Sequence, residues 1–202
     1  MNDIVINSII KQNRLLLSLL ISLFSCSPPT QTEKDLKMVI NTTINFGEID
    51  TVFHSGGLLT MQQLSTDYKY KSVVFLQDGC QPCYPKFVEW HEKMDSIDIR
   101  DNYTVLFVIA GSQYSGFMSK VLDHGYVDDR FYIVMDTEFQ FLAANKDIPR
   151  WIIDASVLID SENKIKMVGA PWINEDMTKL FYEIVSMGEK RGCNIPLKCK
   201  HN

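Results

Sequence analysis

The stretch 72-SVVFLQDGCQPC-83 decides the fold of this 202-residue chain, because an apolar segment runs directly into two closely spaced cysteines. Its first residues, 72–76, are mostly β-branched or aromatic, which predicts a buried strand. A helical pattern begins after Cys80, and Pro82 suits the first turn of a helix because the N–H that it lacks would have no partner there. We therefore predict that the cysteine pair lies where a strand meets a helix.

Strand and helix patterns alternate on the C-terminal side of this junction. Apolar runs at 103–110 and 131–136 predict two further strands, and a weaker helical pattern near 113–123 lies between them. After a short segment, the runs ASVLID and KIKMVG predict a β-hairpin, and Asn174 can cap a final helix. The alternation predicts an α/β fold with parallel strand pairs, and residues 38–60 predict one or two short strands before it.

Cys80 and Cys83 have the spacing that thiol–disulfide chemistry requires, because one thiol can ionise while the second lies within bonding distance. At a helix start, Cys80 would gain unpaired N–H groups and the positive end of the helix dipole, with Cys83 one turn further in. Asp78 opposes thiolate formation if it points inward. Three interpretations stay open: a redox centre, an inert structural disulfide and a metal site. No metal is predicted, since a second Cys-x-x-Cys and a histidine at finger-like spacing are both missing.

Composition argues against several other functions. With 46% apolar residues the chain is long enough for one packed domain, and its net charge of -5 comes without basic stripes, so we expect no nucleic-acid partner. The sequence has no glycine-rich phosphate loop and no serine nucleophile elbow, and we predict no cofactor. His91, Trp90, Trp151 and Trp172 are predicted to be packing residues. The cysteine pair is therefore the candidate catalytic site.

The N-terminus has the pattern of an export signal. Lys11 and Arg14 precede the apolar segment 15–24, which has the length of a signal-peptide core and is short for a transmembrane helix. This arrangement predicts a signal peptide at residues 1–25 that is removed from the mature protein.

The residues at the end of this signal, 23-LFSC-26, resemble the lipobox of bacterial lipoproteins, in which the cysteine is acylated and becomes the new N-terminus. The resemblance implies lipid attachment at Cys26, followed by a polar tether at 26–37. Several acyl chains on one terminus would hold the protein firmly at a membrane, since each buried methylene contributes about 0.8 kcal/mol. An uncleaved signal anchor or an ordinary buried cysteine is the alternative.

The predicted order of strands and helices, with Cys-x-x-Cys between one strand and its helix, is that of the thioredoxin fold. Residues 70–190 resemble the membrane-tethered thioredoxin-like proteins of the TlpA/ResA type, both in SVVFLQDGCQPC and in the hairpin SVLIDSENKIKMVGAP. Together with the lipobox, the pattern is most similar to that of Bacteroidetes-type lipoproteins. The resemblance implies a thioredoxin-like α/β domain at 38–190, in which helices flank a central mixed sheet, with an N-terminal extension and a C-terminal tail at 191–202.

A function follows from the same resemblance. It implies a thiol–disulfide oxidoreductase of the bacterial cell envelope, anchored to a membrane by lipid and facing the periplasm or the exterior. The Cys80 thiolate would attack a disulfide of a partner protein, and Cys83 would resolve the mixed disulfide. The implied partners are protein disulfides or thiols, together with an upstream reductant that the sequence does not name.

Two positions depart from the family pattern. Gly79 stands where an aromatic residue usually precedes the first cysteine. Just before the hairpin strand, where the family has a proline, we expect Asp154 or Ala155, because Pro149 lies too far upstream. These departures favour a rival interpretation, a non-catalytic thioredoxin-like module that binds other molecules and keeps the cysteine pair as a structural link. A metal chaperone is a more distant third.

The remaining cysteines, Cys193 and Cys199, lie in the tail segment GCNIPLKCK. If Cys26 is acylated and Cys80 pairs with Cys83, these two remain. They are close enough in sequence to close a small loop by a structural disulfide. The alternative is two independent surface thiols.

Overall fold

The chain divides into two compact units between Lys37 and Met38. The computed structural model describes residues 28–97, 101–111, 113–125 and 128–187. In these residues, no helix combines the length and the apolar character that crossing a bilayer requires.

The first described helix, α1 (Gln31–Val39), begins inside the segment predicted as a polar tether. The Thr30 hydroxyl accepts a hydrogen bond from the Glu33 N–H at 3.2 Å, and the Glu33 carboxylate accepts one from the Thr30 N–H at 2.7 Å. This reciprocal pair is a capping box, which satisfies two N–H groups at a helix start. The pattern T-x-x-E at 30–33 signals it, so the sequence does contain the information for this helix.

A mixed sheet forms the centre of the second unit. In the described residues it has seven strands in the order β2-β1-β5-β4-β3-β6-β7, of which the β3–β4 and β4–β5 pairs are parallel and the others antiparallel. The bounds are β1 Thr51–His54, β2 Gly57–Thr60, β3 Tyr70–Gln77, β4 Tyr103–Ala110, β5 Tyr132–Asp136, β6 Val157–Ile159 and β7 Ile165–Val168. The predicted alternation, the parallel pairs and the hairpin are confirmed.

Helices connect these strands. Their bounds are α2 Met61–Asp67, α3 Cys83–Met94, α4 Tyr114–Val121, α5 Gln140–Ala144, α6 Arg150–Ala155 and α7 Glu175–Met187. The short segment predicted before the hairpin contains two helices, α5 and α6. Asn174 caps α7 as expected, since its side-chain oxygen accepts a hydrogen bond from the Met177 N–H at 2.9 Å.

Each face of the sheet carries its own hydrophobic core. Successive side chains of a strand point to opposite faces, so Val74 and Leu76 of β3 join a cluster that includes residues of α3 and α7. Val73 and Phe75 join a second cluster on the other face. Because both faces are covered, the parallel strands β3 and β4 contain the uninterrupted apolar runs 73–76 and 105–110, and each fully buried large side chain contributes about 1.5–3 kcal/mol.

The carboxyl ends of the three parallel strands are tied together at one edge of the sheet. The Asp78 N–H donates to the Ala110 carbonyl at 2.9 Å, and the Gly111 N–H donates to the Asp136 carbonyl at 3.0 Å. The buried Asp136 carboxylate accepts the first two N–H groups of α5 at 2.8 and 2.9 Å. This edge is where open α/β sheets place their ligands, and it is where the cysteine pair lies.

Residues 41–46 join the N-terminal part of this unit to its C-terminal hairpin. The Asn41 N–H donates to the Ile165 carbonyl and the Ile44 N–H to the Asn163 carbonyl, each at 2.8 Å. Asn45 and Asn145 exchange two hydrogen bonds, from the Asn45 N–H at 2.9 Å and from the Asn145 amide at 2.6 Å. We refer to residues 41–46 as the N-terminal clasp.

Candidate active site

Cys80 and Cys83 are joined by a disulfide, with their Cα atoms 5.3 Å apart. The predicted helix start is displaced, because α3 begins at Cys83 and Cys80 lies in the turn before it. The Cys83 N–H closes that turn on the Cys80 carbonyl at 2.9 Å, and Pro82 is the N-cap residue rather than part of the first turn. Cys83 is thus the first helical residue, not one turn inside the helix as predicted.

A polar network fixes the turn that carries Cys80. The buried Tyr84 hydroxyl donates to the Asp78 carboxylate at 2.6 Å and accepts the Gly79 N–H at 2.7 Å. Lys120 forms an ion pair with Asp78 at 2.8 Å, and this contact raises the pKa of the Lys120 ammonium. Asp78 therefore points into a network that offsets its charge, which weakens the predicted opposition to a thiolate at Cys80.

Gly79 departs from the family pattern for a backbone reason. Its φ is +80°, a left-handed conformation that side chains other than glycine seldom adopt. A Cβ at this position would have no atom within 4 Å, so steric space is available and the conformation alone favours glycine. The turn thus positions its N–H toward Tyr84, and an aromatic residue here would strain it.

The two sulfur atoms have different surroundings. Cys83 packs against the core cluster under α3, and its Sγ lies 3.4 Å from the Gln77 backbone nitrogen, which donates to it. Cys80 lies outside that cluster, in the turn, and both cysteines line a cavity. The hydrophobic core therefore contacts Cys83, whereas Cys80 is held by the turn.

The cavity beside the disulfide has a volume of about 290 Å³ and is bordered also by Phe75, Lys86, Arg150 and Asp154. The Lys86 ammonium donates to the Asp154 carbonyl at 2.6 Å, whereas the Asp154 carboxylate pairs with the Arg150 Nε at 2.8 Å. The Arg150 guanidinium lies 4.9 Å from the centre of the Phe75 ring. Two cations and one carboxylate therefore line the cavity beside the disulfide.

The sequence analysis missed Lys86 and Arg150 as neighbours of the disulfide. A signal for Lys86 existed, because it follows Cys83 by three residues and so lies on the same side of α3. No local signal existed for Arg150, since α6 reaches the site only through the tertiary fold.

Ser156 occupies the position directly before strand β6, where we expected Asp154 or Ala155. Its side chain is buried and its φ is +75°, and its carbonyl accepts the Gly169 N–H at 2.9 Å. The prediction was wrong by one or two residues because helix α6 extends to Ala155. Pro149 caps the start of α6 and is not next to the hairpin strand.

The histidine and tryptophans predicted to pack are in the core, with one exception. His91 is buried, its Nδ1 lies 2.9 Å from the Phe87 carbonyl oxygen, and burial lowers the pKa of its imidazole. Trp90 is buried and its ring centre lies 4.5 Å from that of Trp172. Trp151 is 39% exposed, because α6 turns Ile152 and its neighbour toward the core instead.

Other predicted sites lie outside the described residues, namely Cys26, Cys193 and Cys199. Within the residues that the structure describes, no three side chains of His, Cys, Asp or Glu are grouped as a metal site would require.

No protein-family model and no curated protein matches the chain. Among solved structures, Prx1a of Plasmodium yoelii, modified at its N-terminus, matches with a TM-score of 0.53 at 15% identity, covering 80% of this chain and 99% of its own. A proposed electron transport protein from Aquifex aeolicus matches with a TM-score of 0.51 at 16% identity, covering 75% of this chain and 99% of its own.

A third match is the thioredoxin domain of a thiol-disulfide oxidoreductase from Bacteroides vulgatus, with a TM-score of 0.46 at 15% identity, covering 71% of this chain and 99% of its own. At these identities only the fold is shared. The strand order, the mixed sheet and the helices on both faces give the protein a thioredoxin-like fold, as the sequence predicted.

Proposed function

We propose that this protein is a cell-envelope thiol–disulfide oxidoreductase that exchanges disulfides with partner proteins through Cys80 and Cys83. The observation that carries the proposal is their disulfide, which bridges the turn after β3 and the start of α3 beside an open cavity. A link that only stabilises the fold has no need of such a position. Here both sulfurs are half-buried at the edge of a rigid sheet, so a partner's thiol can approach them.

The exchange proceeds in two steps that balance in electrons and protons. From the disulfide state, a thiolate of a partner dithiol attacks the Cys80 sulfur, forms a mixed disulfide and releases Cys83 as a thiolate, which takes up a proton. The partner's second thiolate then attacks the sulfur of the partner's first cysteine in the mixed disulfide and releases Cys80 as a thiolate. The partner loses two electrons and the Cys80–Cys83 pair gains them. The reverse sequence reduces a partner disulfide, and an upstream dithiol then returns electrons to the pair.

Cys80 is the attacking thiol in the reducing direction. It lies outside the core cluster, whereas Cys83 packs against that cluster and is the better placed to resolve the mixed disulfide. Two features nevertheless favour a thiolate at Cys83. The Gln77 N–H donates to its sulfur, and Cys83 is the first residue of α3. The alkylation rates of the two thiols therefore have to be compared directly.

A redox titration tests the function. The free thiols of Cys80 and Cys83 are counted by mass spectrometry after equilibration in graded thiol–disulfide buffers, with alkylation followed against pH. We expect the pair to change state at a potential above about -300 mV, where structural disulfides usually stay oxidised. Cys80 should be alkylated faster than Cys83, because it lies outside the core cluster. A pair that remains oxidised throughout supports a structural link instead.

A binding module is the second candidate, and one observation favours it. Ser156, not proline, precedes β6, so the backbone that this family uses to hold a partner chain is altered. Two measurements on the double variant Cys80→Ser with Cys83→Ser separate the functions: a binding module keeps its partner affinity, whereas an oxidoreductase loses insulin reduction.

Lipid attachment at Cys26 is the proposed basis of the envelope location. Cys26→Ala should leave the precursor uncleaved or release the protein in soluble form, because the acylated sulfur is the proposed anchor. Partitioning into the detergent phase of a Triton X-114 extract measures this, with Cys193→Ala as the matched control for loss of one thiol. If the Cys26 variant stays as strongly membrane-bound as the wild type, the lipobox assignment is wrong.

A further inference from the structure

The side chains that line the cavity at the disulfide carry one more positive than negative charge. Among the described residues, Asp154 supplies the only carboxylate that lines the cavity. Arg150 pairs with this carboxylate, while Lys86 contacts the carbonyl of Asp154 instead. In the described part of the chain, Lys86 has no carboxylate within ion-pair distance and makes this single hydrogen bond, although an ammonium can donate three. The whole chain has a net charge of -5, so this cavity is a local reversal of sign.

Both cations are held by contacts with the protein, although the Arg150 side chain is half exposed. Lys86 lies on the first turns of α3, and burial lowers the pKa of its ammonium, with the charges of Asp154 and Glu89 acting in the opposite direction. Arg150 is held by its Nε bond to Asp154 and by the face of Phe75, which leaves the two terminal amino groups of its guanidinium as donors. A bound carboxylate would restore the charge balance that Lys86 lacks.

We propose that this cavity, lined by Lys86 and Arg150, binds an acidic side chain next to the reactive cysteine of a partner protein segment. The inference rests on the proposed thiol–disulfide exchange and adds the class of substrate to it. The volume of about 290 Å³ suits one side chain and part of a backbone, not a folded surface. Phe75 and Pro82 are apolar lining residues against which the methylene groups of a glutamate can pack, and Lys86 and Arg150 are the lining cations available to its carboxylate.

Three cysteine peptides test the inference, alike except for Glu, Gln or Lys beside the cysteine. For each, the rate of mixed-disulfide formation with the oxidised protein is measured by mass spectrometry and divided by its rate with hydroxyethyl disulfide. This division removes the effect of the neighbouring charge on the peptide thiol itself. We expect the Glu peptide to react roughly three- to tenfold faster than the Lys peptide. That preference should vanish at about 1 M salt, where charges are screened within about 3 Å.

Substitutions assign the preference to the cavity. Lys86→Gln with Arg150→Gln should bring the Glu-to-Lys ratio to one or below, because the cavity then offers no cation and keeps the Asp154 carboxylate. Lys93→Gln is the matched control, since Lys93 is exposed on the same helix and does not line the cavity. Its ratio should equal that of the wild type.

The outcomes separate this inference from the function on which it rests. If dithiothreitol and all three peptides leave the folded protein's disulfide intact, the proposed exchange itself fails. If they react but the Glu-to-Lys ratio is one in the wild type, exchange stands and the acidic subsite is wrong. N-acetylcysteine is a small thiol that carries its own carboxylate, and its methyl ester lacks that charge. If the normalised rates of these two compounds differ by as much as those of the Glu and Gln peptides, the cavity takes small thiol acids. The peptide-segment assignment is then overturned.

Discussion

The Cys83→Ser variant is expected to accumulate disulfide-linked complexes with partner proteins, and Cys80→Ser is expected to form none. In the first variant the Cys80 thiolate attacks a partner disulfide and no second thiol completes the reaction. Insulin reduction should fall at least about 100-fold in both variants, because two-electron transfer needs both sulfurs. Non-reducing electrophoresis of envelope extracts shows the complexes, and mass spectrometry identifies the cysteine that carries the partner.

The double variant Cys80→Ser with Cys83→Ser is the control, and it reports any complexes formed through other cysteines. Melting curves for all three variants separate a lost reaction from a lost fold, since removing the disulfide itself lowers stability. Trapping through Cys83 in the Cys80→Ser variant would reverse the assigned roles. Such a result would mean that the Gln77 N–H and the helix start activate the second cysteine more strongly than the turn activates the first.

Lys71→Met is expected to raise the stability of the protein at neutral pH. The Lys71 side chain is fully buried in β3, where its ammonium has one hydrogen bond, 3.3 Å long, to the Tyr68 carbonyl. Burial lowers its pKa from 10.5 to about 8, against the attraction of Asp160. Each unit of pKa corresponds to about 1.4 kcal/mol, so keeping this charge costs up to about 3 kcal/mol, of which methionine should recover about 1–3 kcal/mol.

The lowered pKa of Lys71 also predicts how the gain in stability changes with pH. Between the folded pKa of about 8 and the unfolded value of 10.5, the unfolded chain binds the additional proton, so the Lys71 contribution becomes more favourable as pH rises. The difference in unfolding free energy between Lys71→Met and wild type should therefore shrink as pH rises from 7 to 10. Tyr103 and Tyr132, whose pKa values burial raises, affect both proteins equally and cancel in this difference.

Urea unfolding at each pH measures this difference, and Lys146→Met, which removes an exposed lysine, is the matched control. The control should show no gain of comparable size and no similar trend with pH. A Lys71 variant that is less stable than the wild type at pH 7 would contradict the prediction. The side chain would then have to contribute more through packing than its buried charge costs.

The order of strands and helices could be predicted because it depends on local pattern. The apolar runs of β3 and β4 are long and uninterrupted, since helices cover both faces of the sheet, and the turn signals between them are clear. Cys80 and Cys83 were placed correctly between the first of these strands and its helix. The start of α3 was missed by about one turn, because Pro82 fits both an N-cap and a first turn, and propensity alone does not separate these positions.

The surroundings of the disulfide could not be predicted in the same way. Lys86 meets the backbone of Asp154 across 68 residues of sequence, and this contact exists only because the tertiary fold packs α6 against β3, the strand that leads into α3. The position before β6 was assigned by counting back from the strand, and a short helix whose pattern is too brief to recognise moved it to Ser156. The charges that line the cavity are therefore set by where the tertiary fold places α6.

The N-terminal clasp has a consequence for how the chain folds as it is synthesised. Asn45 bonds to Asn145, and Ile44 and Asn41 bond to Asn163 and Ile165, so each of these hydrogen-bond partners is synthesised at least 100 residues later. At about 5–20 residues per second, the roughly 100 residues between them take about 5–20 s to emerge. The hydrogen bonds of the N-terminal clasp therefore form only after residues 145–165 have been synthesised. Folding is completed only when the two ends of the domain meet.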